Sequence, residues 1–294
     1  MTLRDKMAGV RSLMNERLDA ALAVPEGRDA RVVEAMRYSA IGTGKALRPF
    51  LTMTVGEMLG TPAATVVRIA MAIEMLHSYS LIHDDLPAMD NDTLRRGKPT
   101  NHIRFDEATA ILAGDGLQAK AFEILADEAT HPDGAVRARL VQELARAAGP
   151  AGMVGGQMLD LIGEKSPLTL EETERMQALK TGALLYFSCL APAIAAGADE
   201  SVRQALSRYA QAIGLLFQIT DDILDVEGDQ ELVGKTLGKD SAAHKSTFVS
   251  LLGMDKARSL VQHLAKEADE ALAMFGEKAE CLKELVAYMV ERKR

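Results

Sequence analysis

The sequence predicts an all-α fold, one helical bundle over residues 1–294, and three observations carry that prediction. Apolar residues recur at helical spacing along almost the whole chain. Gly and Pro punctuate these stretches, and no convincing β-alternation survives between the stops. Hydrophobic residues make up 48% of the chain and aromatics 4%, with no Trp and 15 Met, a composition suited to Ala, Leu, Ile, Val and Met packed helix on helix. The length exceeds that of a typical domain, but no linker, solenoid repeat or low-complexity tract divides it, so a single core is expected.

Taken in order, helices are expected at 3–22, 28–41, 46–59 and 62–85, separated by Pro25-Glu26-Gly27 and Gly60-Thr61-Pro62 and ended by Pro87. Gly97-Lys98-Pro99 marks a turn. A helix at 104–130 stops at His131-Pro132-Asp133-Gly134, and one at 134–148 stops at Gly149-Pro150. Further helices are expected at 170–196, 199–225 and 255–292, the last broken near Phe275-Gly276. The exception is 227–246, a polar segment carrying Lys235, Lys239 and Lys245; loops of that length in compact domains are often functional lids.

Charge and cysteine content exclude several function classes. A net charge of −8 with a pI near 5.4 lacks the basic footprint of a nucleic-acid binder. Cys189 and Cys281 stand far apart, which indicates neither a disulfide framework nor a thiolate zinc site and fits a reducing cytoplasm. The longest apolar run, 184–198, is interrupted by Ser188, Cys189 and Pro192 and falls short of the roughly 20 residues of a membrane span. No signal-peptide core is found at the start, so no span or secretion is expected.

Two acidic sets end apolar helices. In SLIHDDLPAMDND, Pro87 should end the helix and gather Asp84, Asp85 and Asp90 around its last turn. In FQITDDILD, Asp221 and Asp225 lie at i and i+4 on one face. Behind them, positions 211, 214 and 218 read Gln, Gly and Gln, a stripe expected to face water or a polar cavity because unpaired carboxylates are costly in a core. Carboxylates clustered at a helix C-terminus oppose the helix dipole unless a cation compensates. An all-oxygen set points to Mg²⁺ held by a few carboxylates together with substrate phosphates. Basic residues complete the pattern: Lys45, Arg48, Arg95, Arg96, Lys180, Lys235, Lys239 and Lys245, suited to clamping a diphosphate.

These motifs, GTGKALRPF, SLIHDDLPAMDNDTLRRGKPTNH, GGQMLDL, KTGAL and FQITDDILD in that order, resemble those of the trans-polyprenyl diphosphate synthase family over nearly the whole chain. The resemblance implies an isoprenoid synthase helical bundle around a central cavity, usually a homodimer, with the aspartate motifs facing each other across the cavity mouth. It implies several Mg²⁺ ions, for which Mn²⁺ substitutes, bound by Asp84, Asp85, Asp90, Asp221 and Asp225. Arg95, Lys180, Thr181, Gln218, Lys235 and Lys245 would contact an allylic diphosphate, and Lys45, Arg48, His77 and Arg96 the homoallylic one. Catalysis would rest on Asp84, Asp85, Asp90, Arg95, Lys180 and Asp221. Thr93, Thr43, Ala46 and Phe248 depart from common family choices without removing a ligand.

With the insertion Pro87-Ala88, an aromatic at Tyr79, next to Ser80, would floor the tail pocket and set a fifteen-carbon product. Ten- and twenty-carbon synthases are the near alternatives. A class I terpene cyclase is disfavoured because DDILD lacks that group's Asn/Ser/Glu ligand series. A di-iron bundle would use Glu74-x-x-His77 and Glu128-x-x-His131 but leaves both aspartate motifs unexplained, and a regulatory subunit would not need both. His83 is expected to pack, and Gln157 and Asp160 to line a cavity wall.

Overall fold

The computed structural model describes residues 2–42, 44–227 and 246–291. It is all-helical apart from one two-residue hairpin among those residues. By internal contacts the chain falls into two compact units, Met1–Leu144 with Ile194–Ala196, and Ala145–Ala193 with Gly197–Arg294.

The first unit holds α1 (Leu3–Ala21), α2 (Ala30–Ala40), α3 (Leu47–Leu59) and α4 (Ala63–Asp84), followed by the hairpin strands β1 (Leu94–Arg95) and β2 (Lys98–Pro99). Then come α5 (Asn101–Arg104), α6 (Glu107–Ala126) and most of α7 (Gly134–Ala148). A capping box between Thr2 and Asp5 starts α1. Helix α4 is the core of this unit: it packs on α3 and α6, and residues such as Ile69, Ile73, Met75 and Leu76 are fully buried. A helix apolar on nearly all sides must be enclosed. Gly56 makes the approach of α3 possible, since a Cβ there would stand 2.5 Å from Val66 Cγ2.

The helix expected at 104–130 is divided. Asp106 accepts from Thr109 N at 2.7 Å and caps α6, and Arg31 of α2 holds Asp106 Oδ2 at 2.7 Å and the Phe105 carbonyl at 3.1 Å. A capping aspartate gives the backbone a better partner outside the helix than inside it.

The second unit contains α8 (Met153–Gly163), α9 (Leu170–Gln177), a π-helical turn (Ala178–Gly182), α10 (Ala183–Ala195) and α11 (Glu200–Glu227). Beyond these lie α12 (Phe248–Leu252), α13 (Met254–Ala271), a 3₁₀ turn (Ala273–Ala279) and α14 (Glu280–Glu291). Helix α11 is its centre, packed on α13 and α14, with the buried Tyr209 hydroxyl donating to the Leu282 carbonyl at 3.1 Å. The expected break falls at Gly276, φ 58°. Helices α8 and α12 lie outside the expected set. The four glycines of 152–163 lower local helix propensity, and α8 gains its stability from packing instead.

By length and composition α4 and the helical stretch Leu170–Ala195 would each suit a membrane span, contrary to the reading that no stretch is long enough. Their apolar windows are 72% and 56% buried inside the protein, which is the place of core helices.

Candidate active site

In the first unit the acidic turn is built as Pro87 requires. Helix α4 ends at Asp84 with Asp85 as its C-cap, and the following chain folds back so that Asp90 N donates to the Asp84 carbonyl at 2.9 Å and Asn91 N to that of Leu86 at 3.1 Å. Asn91 takes a left-handed φ of 51° to close the turn. Asp84 and Asp90 are half-buried. Asp85 is 3% exposed, and its Oδ1 takes Arg95 Nε at 2.7 Å and Nη2 at 2.5 Å. Arg95 also approaches Asp92 Oδ2 at 3.9 Å. Burial pushes the Asp85 carboxyl up while Arg95 pulls against it; burial likewise opposes the Arg95 charge, but contact with Asp85 outweighs it and raises the guanidinium. The hairpin is thereby locked to the acidic turn.

The next residue, Arg96, shares the two-residue hairpin turn with Gly97, at φ 54° and 76°, the double positive φ of a type I′ turn. Tyr38 holds β2 from α2, its hydroxyl donating to the Pro99 carbonyl at 2.8 Å. The Arg96 guanidinium passes over Gly44: a Cβ there would meet Arg96 Nη1 at 2.4 Å. Asn15 of α1 clamps this loop by exchanging two 3.1 Å bonds with the Gly42 backbone.

Lys45 is exposed and Arg48 and His77 are half-buried. Burial brings the Arg48 guanidinium down to about 10, Glu74 working against that shift and Arg96 with it, so Arg48 keeps its charge at neutral pH. Burial, then the charges of Arg48, Arg96 and Arg95, hold His77 well below the usual imidazole range. A neutral imidazole among three guanidinia can donate to an anion without adding charge. Tyr79 is buried and meets His83 edge to face, with ring centroids 5.0 Å apart; Ser80 donates to the His77 carbonyl at 2.8 Å. His83 Nε2 lies 3.0 Å from the Ile111 carbonyl of α6, a packing role as expected.

In the second unit, Asp221 and Asp225 are half-buried on one face of α11, with Gln218 one turn earlier. The stripe behind them is not polar throughout: Gly214 is buried, and a Cβ there would lie 3.4 Å from Gly182 Cα. Lys180 and Thr181 sit in the π-helical turn, and Lys180 Nζ binds the buried Asp160 carboxylate at 2.6 Å. Gly156 permits this, because a Cβ on α8 would stand 2.2 Å from Lys180 N. Asp222, turned from Asp221, accepts from Phe248 N at 2.7 Å; Phe248 is fully buried, which accommodates a ring without a hydroxyl. Lys235, Lys239 and Lys245, and Thr43, lie outside the described residues. The Glu-x-x-His readings do not survive: Glu74 faces arginines, and Glu128 lies beyond the end of α6.

Sequence reasoning missed Asn15 and the contacts of Asp85 and Asp222, none of which leaves a local periodic signal. Glu74 was legible, as a lone acid within an apolar helix. Cys189, pushed up to about 12 by burial, is no nucleophile.

Each acidic motif presents two half-buried carboxylates, and oxygen donors of this kind suit Mg²⁺ better than softer metals. Residues 29–289 match the sequence profile of the Polyprenyl synthetase family. The chain belongs to the polyprenyl synthetase family. The family is enzymatic, and its members here include the farnesyl diphosphate synthase of Haemophilus influenzae, 46% identical over 266 residues that cover 90% of each chain. A chloroplastic geranylgeranyl pyrophosphate synthase of Catharanthus roseus is 43% identical over 97% of this chain and 80% of its own. Among solved structures, an FPP/GFPP synthase from Zymomonas mobilis in its apo form superposes with a TM-score of 0.90 at 46% identity, over 98% of both chains. The all-helical polyprenyl synthetase fold is thus shared.

Proposed function

We propose that this chain condenses isopentenyl diphosphate with dimethylallyl and then geranyl diphosphate to give (2E,6E)-farnesyl diphosphate. The observation that carries the reading is the cluster of Arg48, neutral His77 and Arg96 beside an aspartate turn whose hairpin is locked by Asp85 and Arg95. Farnesyl diphosphate synthases at 42–49% identity support the fifteen-carbon product; the geranylgeranyl relatives mark the twenty-carbon alternative.

Asp84 and Asp90, and Asp221 and Asp225, are the residues we assign to Mg²⁺, with Asp85 contributing through Arg95. Metal held by these residues would supply positive charge that offsets the charge of the departing allylic diphosphate. Arg95, Lys180, Thr181 and Gln218 orient the same group. The allylic C–O bond breaks with its electron pair leaving on oxygen, and the isopentenyl double bond supplies the pair for the new C–C bond. Released diphosphate takes the proton that restores the alkene. Lys45, Arg48, His77 and Arg96 hold the homoallylic diphosphate still, and neutral His77 donates a hydrogen bond rather than a proton. A homodimer in the cytoplasm is the setting we propose; apolar Ile111 and Leu112 exposed on α6 favour the dimer, which sedimentation would test.

Incubating the protein with Mg²⁺, isopentenyl diphosphate and dimethylallyl diphosphate should yield a fifteen-carbon diphosphate; absence of any condensation product from folded protein would overturn the reading. The floor assignment has its own test. Tyr79 is 8% exposed, so Tyr79→Ala removes a buried ring and should shift product towards twenty carbons. It should also lower stability by about 3 kcal/mol, the usual scale for truncating a buried aromatic. Unchanged product length by mass spectrometry would refute the floor.

A further inference from the structure

Glu74 is a carboxylate 8% exposed on α4, the central helix of the first unit. Its charged neighbours are Arg48 and Arg96, yet neither forms a hydrogen bond or ion pair with it. A small cavity bordered by Glu74, Arg96, Gly44, Gly42 and Asn15 lies at this place. Arg48 Nε is buried with no hydrogen-bond partner. Arg96 disfavours the charge of Arg48, Arg95 disfavours that of Arg96, and Glu74 favours both. His77, one turn after Glu74 on α4, is neutral and offsets neither.

Two guanidinia held near one another repel, and an exposed side chain such as Arg96 is free to relieve that repulsion by turning into water. What restrains it is the hairpin turn behind it, the bare Gly44 beneath it, and the buried negative charge across the cavity. A carboxylate is costly to bury, and a glutamine would fill the same volume without that cost. The charge itself therefore requires a reason.

We propose that Glu74 is a positioning residue for the homoallylic diphosphate, holding Arg48 and Arg96 pre-oriented, with Arg96 facing it across the small cavity at the N-terminal side of α3. This rests on the functional reading above. The opposite role is physically well defined: if Glu74 merely added negative charge near an anion site, removing it would tighten binding. Pre-orientation demands the reverse sign, because loose guanidinia must be ordered at the moment of binding.

The decisive comparison is Glu74→Gln with Glu74→Asp, read as separate KM values for isopentenyl and geranyl diphosphate. Expected is a rise of about tenfold in the isopentenyl KM for Glu74→Gln, with the geranyl KM changed by less than about threefold and part of the loss restored in Glu74→Asp. An unchanged or lowered isopentenyl KM in Glu74→Gln overturns the proposal, as does an equal rise for both substrates or a loss confined to kcat. Should Glu74→Gln not fold, calorimetric titration of Glu74→Asp with isopentenyl diphosphate serves: two- to fivefold weaker binding supports positioning, and unaltered binding refutes it. Inactive wild-type protein would instead count against the condensation reading.

Discussion

Asp84→Asn is expected to lower kcat by about 10³-fold, about 4 kcal/mol of transition-state stabilisation, while leaving the melting temperature unchanged or slightly higher. The two effects oppose each other because of where Asp84 sits. It is the last residue of α4, where a negative charge meets the negative end of the helix dipole, an arrangement unfavourable by about 0.3–1 kcal/mol. An amide relieves that conflict and is a poor ligand for a hard cation. Asp85→Asn should behave differently although it is the adjacent residue. Its carboxylate is buried against Arg95, and removing one member of such a pair costs about 3–5 kcal/mol, so that variant should melt lower. Steady-state kinetics and calorimetric melts on both variants separate the roles; equal destabilisation by both would show that Asp84 is structural.

The second large effect is expected at Gly156→Ala. The added methyl would stand 2.2 Å from Lys180 N and 2.5 Å from its Cα. These are backbone atoms, so no side chain can swing aside. Overpacking of this kind costs about 1–3 kcal/mol and more where backbone must move, equivalent to a fall of roughly 2–12 °C in melting temperature at 2–4 °C per kcal/mol. Activity should fall further than stability, because the π-helical turn that is displaced carries Lys180 and Thr181. A variant that melts like wild type and turns over normally would mean that α8 stands farther from Lys180 than the structure places it.

Much of this was legible in sequence. The end of α4 followed from an apolar helix meeting Pro87, and the shared face of Asp221 and Asp225 from spacing on a helix that runs through both. Local rules suffice where the determinant is local. They failed for α8, whose glycines argue against a helix when read alone, and of which Gly156 makes sense only beside the backbone of Lys180. They failed again for the middle aspartates: nothing near Asp85 or Asp222 in the chain announces that the first holds Arg95 and the second the backbone of Phe248. The spacing of Glu74 and His77 allows a metal pair, a reading already disfavoured because it leaves both aspartate motifs unexplained; the two arginines that give Glu74 another meaning come from α3 and the hairpin. Lys235 and Lys245 lie outside the described residues.

The left-handed backbone of Arg96 has a consequence for anyone improving the protein's robustness. A residue with a Cβ at φ 54° sits about 1 kcal/mol above what glycine would need there, and a type I′ turn favours Asn or Gly at this position. A search for thermostabilising substitutions guided by turn statistics would therefore select Arg96→Gly among its first choices. The hardened protein would have lost the guanidinium we propose for the homoallylic diphosphate, so on that reading durability and turnover pull in opposite directions at this one residue.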